Sequence, residues 1–386
     1  MVEVVLNEAE ARARLIPQSA YVSCPVAFID CKKPGSHLKR NYSMIGPGVT
    51  TSTDQVVNLR EPHGFNIGAA GMPHGIVNNL HIHFTAEVFM VLRGAWKFRW
   101  GPNGDDGEIV GEAGSVVSVP TWVFRGFTNV GPDDGWIFTT LGGDNTGGII
   151  WHPEIVKEAA QYGMYLTKDN ILVDTATGAA KPDDADLLQP ITAAEIAALK
   201  RYSVDDMRGR IVTAEERDWS SAALLDSCLP GHASAMAPVI GSGISQYRHH
   251  QAKIINPHGF SMEWLRLPPG QSVSPFRVGA KQVLMGYKGK TAITLNRGAN
   301  AVMLPMDAID MLSVPGDVWR AITNAGTEDA EILVITAGEG RKTPHWAEDT
   351  VAAALAAGIA ADASGLLAPA HLLPDYRIGR KMAEPT

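Results

Sequence analysis

The chain contains itself twice. Pro257-His258-Gly259-Phe260 repeats Pro62-His63-Gly64-Phe65 at a spacing of 195 positions, and the register then holds without a gap. At that spacing Pro73 matches Pro268, Gly75 matches Gly270, Val88 matches Val283, Met90 matches Met285 and Gly94 matches Gly289. Ser118-Val119-Pro120 matches Ser313-Val314-Pro315, Arg125 matches Arg320, and Thr128-Asn129 matches Thr323-Asn324. Gly131 with Gly326, Gly143 with Gly338 and Trp151 with Trp346 continue the series. Chance aligns one tetrapeptide but does not keep register over such a length, so whatever one copy folds into, the chain builds twice. Its 386 residues suit two domains of ordinary size.

Within each copy, short apolar or alternating runs are separated by turn residues. Val88 to Leu92 precede Arg93-Gly94, Trp96 to Trp100 alternate before Gly101-Pro102-Asn103-Gly104, and Val116 to Val119 and Trp136 to Leu141 follow. Period-two runs between closely spaced turns predict an all-β-dominated sandwich or barrel. The 39 glycines and 24 prolines fit many tight turns. A helical stretch is expected after each repeated tryptophan, from Pro153 to Tyr162 and from Ala347 to Ala361. Between the copies, Asp174 to Asp186 reads as an exposed loop, and Thr192 to Glu195 as a capping box opening a helix. The expected organisation is an N-terminal arm over 1–60, a first barrel with its closing helix over 61–165, a connector over 166–235, and a degenerate second barrel with its closing helix over 236–386.

A net charge of −8, with no run of Lys and Arg, makes nucleic acid an unexpected partner. No stretch approaches the length of apolar chain that a membrane span needs, and the first residues are acidic where a secretion signal is basic. The three cysteines, Cys24, Cys31 and Cys228, are odd in number and widely spaced, which argues against a disulfide framework. The expectation is a cytoplasmic protein. The arm over 1–60 is suited to protecting exposed sheet edges, and a homo-oligomer is expected.

The chemically informative stretch is His81-Ile82-His83-Phe84-Thr85-Ala86-Glu87. Residues two apart on a strand share a face, so His81 and His83 point together into the barrel, and Glu87 falls on the same parity. Two imidazoles and a carboxylate with open positions describe the facial triad that holds non-haem iron, and suit other borderline divalent metals. With Gly94 in step, His81-x-His83-x3-Glu87-x6-Gly94 resembles the first metal motif of the cupin superfamily. Gly114, Pro120 and Asn129 fall where the second motif has its glycine, proline and asparagine. With the duplication, the chain resembles a bicupin over most of its length. That resemblance implies two tandem double-stranded β-helix (jelly-roll) barrels with a helical connector and a C-terminal helix. Gly94-Ala95-Trp96 and Pro120-Thr121-Trp122 are also similar to gentisate-type ring-cleaving dioxygenases.

One departure matters. Where the second cupin motif usually supplies a further histidine ligand, this chain has Arg125, which stays protonated and cannot ligate. Three accounts are open. His81, His83 and Glu87 hold the metal alone while Arg125 grips an anionic substrate. A histidine from elsewhere, His63, His74 or His152, completes the set. Or Arg125 pairs with Glu87 and no metal binds. Arg320 repeats the arginine in a copy where Phe276, Val278 and Gln282 replace all three ligands, so an architectural role is as reasonable as a catalytic one. His63 and His258 read as turn histidines. Trp122, Phe124 and Phe127 line the mouth if they point inward, and Met285, Met303, Met306 and Met311 read as core filling.

Three functions follow. The first is an Fe(II)-dependent dioxygenase opening or oxidising a small aromatic or enol acid, with Arg125 and Glu87 as catalytic residues. The second is a non-oxidative metalloenzyme, a decarboxylase, isomerase or lyase, using Mn, Ni or Zn. The third is a metal-free barrel that binds a small organic anion through Arg125.

Overall fold

In the computed structural model, which describes residues 2–374, the repeat is visible strand by strand. The chain divides into two compact units, one comprising Ala20–Glu216 and the other joining Met1–Ser19 to Arg217–Thr386. The first unit packs a seven-stranded sheet against a five-stranded one. The larger runs Ile211–Val212, Val116–Val119, Glu87–Arg93, Gly135–Gly142, Phe65–Met72, Arg40–Ile45 and Val57–Leu59 in spatial order. The smaller runs Ile149–Trp151, Val77–His83, Arg125–Asn129, Ala95–Trp100 and Gly107–Glu112. Inward residues of both sheets meet in a core of Phe89, Trp96, Phe98, Val117, Phe127 and Ile137, the alternation that a two-layer β structure requires. At the turn into Ala95–Trp100, Gly94 adopts φ +91, and a Cβ there would lie 3.1 Å from the Cα of Gly135. Only glycine fits such an approach, which is why Gly289 repeats it.

The second unit has two sheets in the same strand order, without a counterpart, among the described residues, of the outer strand Val57–Leu59. Met311–Val314, Gln282–Lys288, Ala330–Ala337, Phe260–Leu267 and Ala235–Ile240 form one, and Thr291–Leu295, Arg320–Asn324, Ser272–Arg277 and His345–Trp346 lie in the other. Each stands 195 positions from its counterpart, and the structural repeat is longer than the identities show. Arg40–Ile45 corresponds to Ala235–Ile240, and the small hairpin Met164–Leu166 with Leu172–Asp174 to Ile359–Ala361 with Leu367–Pro369.

The first sixty residues, expected as one arm, are divided. Residues 20–59 build the first unit, while the leader lies in the other, where Leu15–Ile16 pairs antiparallel with Met311–Val314. Ile211–Val212 does the same for Val116–Val119 in the first unit. The two leaders match at a spacing of 196. Asn7 and Glu10 form a capping box on helix Glu8–Arg12, as Ser203 and Asp206 do on Val204–Arg208. Arg14 then reaches Ser313, and Arg210 reaches Ser118. Each leader closes a strand edge that would otherwise stand open.

Two further expectations change. The second closing helix spans Glu348–Ala356 rather than reaching 361, because Gly358 takes φ +84 just beyond its end and the chain turns into the strand Ile359–Ala361. Met285, Met306 and Met311 are core residues, but Met303 is exposed because its neighbours in Val302–Met306 alternate on an outer strand. Among the described residues no helix is long and apolar enough to cross a membrane, and all three cysteines are free.

Candidate metal centre

Strand Val77–His83 carries both histidines inward. His81 is paired in register with Arg125 on one side and Trp151 on the other, and His83 with Ile149. The strand then breaks at Phe84, and Glu87 opens the next strand, Glu87–Arg93, in the opposite sheet. The carboxylate therefore meets the imidazoles across the barrel, after a turn, and not by parity along one strand.

The structure brings His81, His83 and Glu87 together. One ligand atom from each lies within 4.8 Å of the others, and all three side chains are buried. Donors bound about 2 Å from one ion stand about 3 Å apart when adjacent, so modest side-chain rotations close the set. The His81 Nδ1 lies 2.7 Å from the carbonyl oxygen of Asn79. A carbonyl only accepts, so Nδ1 carries the proton and Nε2 keeps its lone pair for a ligand, the orientation that backbone carbonyls commonly impose on metal-binding histidines. Burial, reinforced by His83 and Arg125, holds His81 well below the ordinary value of 6.5, so the ring is neutral at pH 7. The Glu87 Oε2 has no hydrogen-bond partner and faces His83 Nε2 at 3.5 Å. A buried carboxylate oxygen without a hydrogen-bond donor is costly unless cations compensate it; Arg125 does so in part from 3.7 Å, and the space toward the imidazoles is left for an ion. On these grounds the three residues fit a divalent ion.

Arg125 is buried beside Glu87, off the wall of the cavity that holds the triad, and approaches the same carboxylate oxygen that faces His83. Its Nε is 3.7 Å from Glu87 Oε2, and one terminal nitrogen donates to the Pro120 carbonyl at 2.8 Å, while Nε and the other terminal nitrogen have no hydrogen-bond partner. Burial pulls its pKa down to about 10, opposed by Glu87, so it is charged at neutral pH. The cation on the cavity wall is Lys39, whose ammonium donates to both oxygens of Asp30, at 2.7 and 2.8 Å, and to Asn78. Asn78 in turn lies 3.3 Å from His81 Nδ1. Sequence reasoning missed Lys39, Asp30 and Asn78, none of which is matched in the second copy. Trp151, whose ring packs 5.4 Å from His81, carried a signal in its match to Trp346.

The remaining candidates lie elsewhere. The His63 Nδ1 bonds the Glu61 carbonyl and its backbone the Asp144 carboxylate, and His258 does the same with Asn256 and Glu339. His74 bonds the Gly131 carbonyl, and His152 caps the helix Pro153–Gln161. Phe127 lines the triad cavity, Phe124 packs outside it against Leu80 and Ile82, and Trp122 stands on the surface. In the second unit Phe276 and Val278 are core residues, and Gln282 bonds Arg320 and Thr336.

No family profile and no curated protein matches the sequence. Solved structures do match in fold. An oxalate decarboxylase from Lactobacillus farciminis, as a formate complex, is 11% identical with a TM-score of 0.52, covering 92% of this chain and 91% of its own. A Bacillus subtilis oxalate decarboxylase described with Mn(II) centres is 10% identical at 0.52, covering 91% and 81%. Vicilin from Corylus avellana is 7% identical at 0.50, covering 86% and 87%. At these identities the likeness speaks of architecture: the chain is two tandem cupin barrels.

Proposed function

We propose that the first barrel is a metal-dependent oxidoreductase centre of the dioxygenase kind, acting on a small aromatic or enol acid in the cytoplasm. The observation that carries this reading is the convergence of two imidazoles, that of His81 neutral, and a carboxylate oxygen without a hydrogen-bond donor in a buried cavity. A divalent ion there, with Fe(II) first in expectation, supplies Lewis acidity and, if iron, one-electron chemistry with dioxygen. His81 and His83 offer their ring nitrogens, and Glu87 offers Oε2. Arg125 steadies Glu87 as a positioning residue, the pairing that was one of three accounts open from sequence, here with a metal rather than in place of one. Lys39 is neutralised by Asp30 and Arg125 by Glu87, so a divalent ion leaves the site with an excess of positive charge. Buried charge of that kind calls for an anion, which makes an organic acid the fitting substrate class.

A second reading, non-oxidative decarboxylation with manganese, draws support from the oxalate decarboxylases that share the fold. Metal analysis of protein purified without chelator, alongside a His81→Ala, His83→Ala double variant, tests both. About one equivalent of iron, absent from the variant, with oxygen uptake on phenolic or enol acids, supports the first reading. Manganese, nickel or zinc with turnover in the absence of oxygen supports the second. No metal in either protein, even after anaerobic Fe(II), overturns both. A homo-oligomer is part of the proposal, because the outer strand Val57–Leu59 has a partner on one side only within its sheet. Light scattering showing a monomer removes that part.

A further inference from the structure

The cavity at the triad measures about 40 Å³. One water needs about 10–15 Å³ of such space, so a carboxylate head or dioxygen fits beside an ion and an aromatic ring does not. A second cavity in the same unit measures about 510 Å³, a size typical of small-molecule sites. Its walls include Phe84, Trp122, Ile150, Ile191 and Leu199, and Trp151 is the residue that lines both cavities.

The aromatic wall is tied to the metal centre by the chain itself. Phe84 directly follows His83, and the Trp122 backbone N–H donates to the His83 carbonyl at 3.2 Å. The two rings meet edge to face at 5.4 Å, yet Phe84 is 41% and Trp122 45% exposed. Trp122 is held at φ +57, a left-handed conformation that costs a bulky residue energy and tends to mark functional positions. The Trp151 Nε1 is buried with no hydrogen-bond partner. The polar rim is already committed. Thr192 and Glu195 bond each other, and Gln189 bonds the carbonyls of Asp184 and Leu187. The chamber therefore offers mainly apolar surface, with the Glu195 carboxylate on its rim held by Thr192.

We propose that this chamber holds the apolar body of the substrate, so that of the acids proposed above the protein takes one whose aryl or branched-alkyl group stays outside the triad cavity and whose acid or enol end alone reaches the metal. The carboxylate passes Trp151 into the triad cavity, and the body stays between Phe84, Trp122 and Leu199. The head's placement rests on the metal-centre reading above.

The test titrates Mn(II)-loaded protein with acetate and with phenylacetate by calorimetry, with bound manganese measured in each sample. Phenylacetate is expected to bind about tenfold tighter or more, the gain from burying a phenyl group. Trp122→Gly and Leu199→Asp are each expected to erase that preference with manganese content unchanged. Glycine accepts the left-handed backbone, so Trp122→Gly removes the ring without strain, and its thermal midpoint checks the fold. Equal affinity for the two acids, or a preference that survives both substitutions, overturns the chamber. Failure of the metal-centre reading looks different: no manganese binds and acetate is ignored. Uncharged benzyl alcohol, still bound and still sensitive to both substitutions, then leaves the apolar site standing.

Discussion

The two barrels place an arginine at the same point and surround it differently. Arg320 donates to the Pro315 carbonyl, twice to the Val318 carbonyl and to Gln282 at 2.5 Å. Arg125 keeps the first of these bonds, to Pro120, and gives up the rest for a 3.7 Å approach to Glu87. The shared bond is architecture, inherited by both copies. The unshared ones show what a site costs, since a barrel that retains ligands leaves polar atoms unpaired that a barrel without them satisfies. The ligand positions differ in the same sense, with Phe276 packed into the core where His81 lines a cavity.

The largest test of this contrast is truncation at matched positions. Phe276→Ala is expected to cost about 3–5 kcal/mol, because a filled core loses a ring and keeps the hole. His81→Ala is expected to cost the metal-free protein about 1 kcal/mol and to abolish metal binding, since its neighbours already border a cavity. Urea denaturation with metal analysis reads both. Equal losses would mean that the first barrel is as tightly packed as the second and that its cavity is no site.

The arginines give the next test. Arg125→Met leaves Glu87 as a buried carboxylate without a counter-charge, at an expected cost of about 3 kcal/mol. A divalent ion replaces the lost charge, so added manganese should restore most of that stability. Arg320→Met strands two carbonyls and Gln282 at a similar cost of about 3 kcal/mol, and manganese should restore nothing. Rescue of both, or of neither, would break the distinction between a site arginine and a structural one.

What the sequence makes legible follows from where backbone geometry dictates the residue. Gly94 with Gly289, Pro120 with Pro315 and Asn129 with Asn324 are turn and strand-end positions with few substitutes, so they survive duplication and reveal it. Strand interiors accept any apolar side chain of suitable volume, so Arg40–Ile45 and Ala235–Ile240 share a place but little sequence. The leaders were hidden for another reason. They match at 196 positions, and the one-residue change of spacing removes Arg12 with Arg208 and Arg14 with Arg210 from an ungapped comparison. Within the site, His81-x-His83 was readable because period two places both on one face. That Glu87 arrives from the opposing sheet, and that Lys39 joins the wall, depends on long-range pairing that no local pattern encodes.

The smallest expected effect concerns a buried acid that the first barrel lacks. Glu263 is fully buried in strand Phe260–Leu267 and accepts the backbone N–H groups of Ile244 and Ser245, at 2.6 and 3.1 Å. At the matched position of the first barrel stands Gly68. Burial outweighs the two donors and pushes Glu263 up to about 7 from its ordinary 4.5. Between pH 4.5 and 7 the folded chain therefore keeps a proton that the unfolded chain has released. Stability falls as pH rises through that window, by at most about 1.4 kcal/mol per pH unit for one proton, and levels off above it. Asp226, raised to about 6, contributes in the same direction over the lower part of the range. Glu263→Gln keeps an acceptor for the backbone donors and removes the proton. Urea midpoints measured from pH 5 to 8 should lose the Glu263 share of the slope, most cleanly toward pH 7, where the Asp226 share fades. A wild-type profile already flat there would mean that the two backbone donors hold Glu263 ionised, and that a buried carboxylate is no greater burden to the second barrel than Glu87 is to the first.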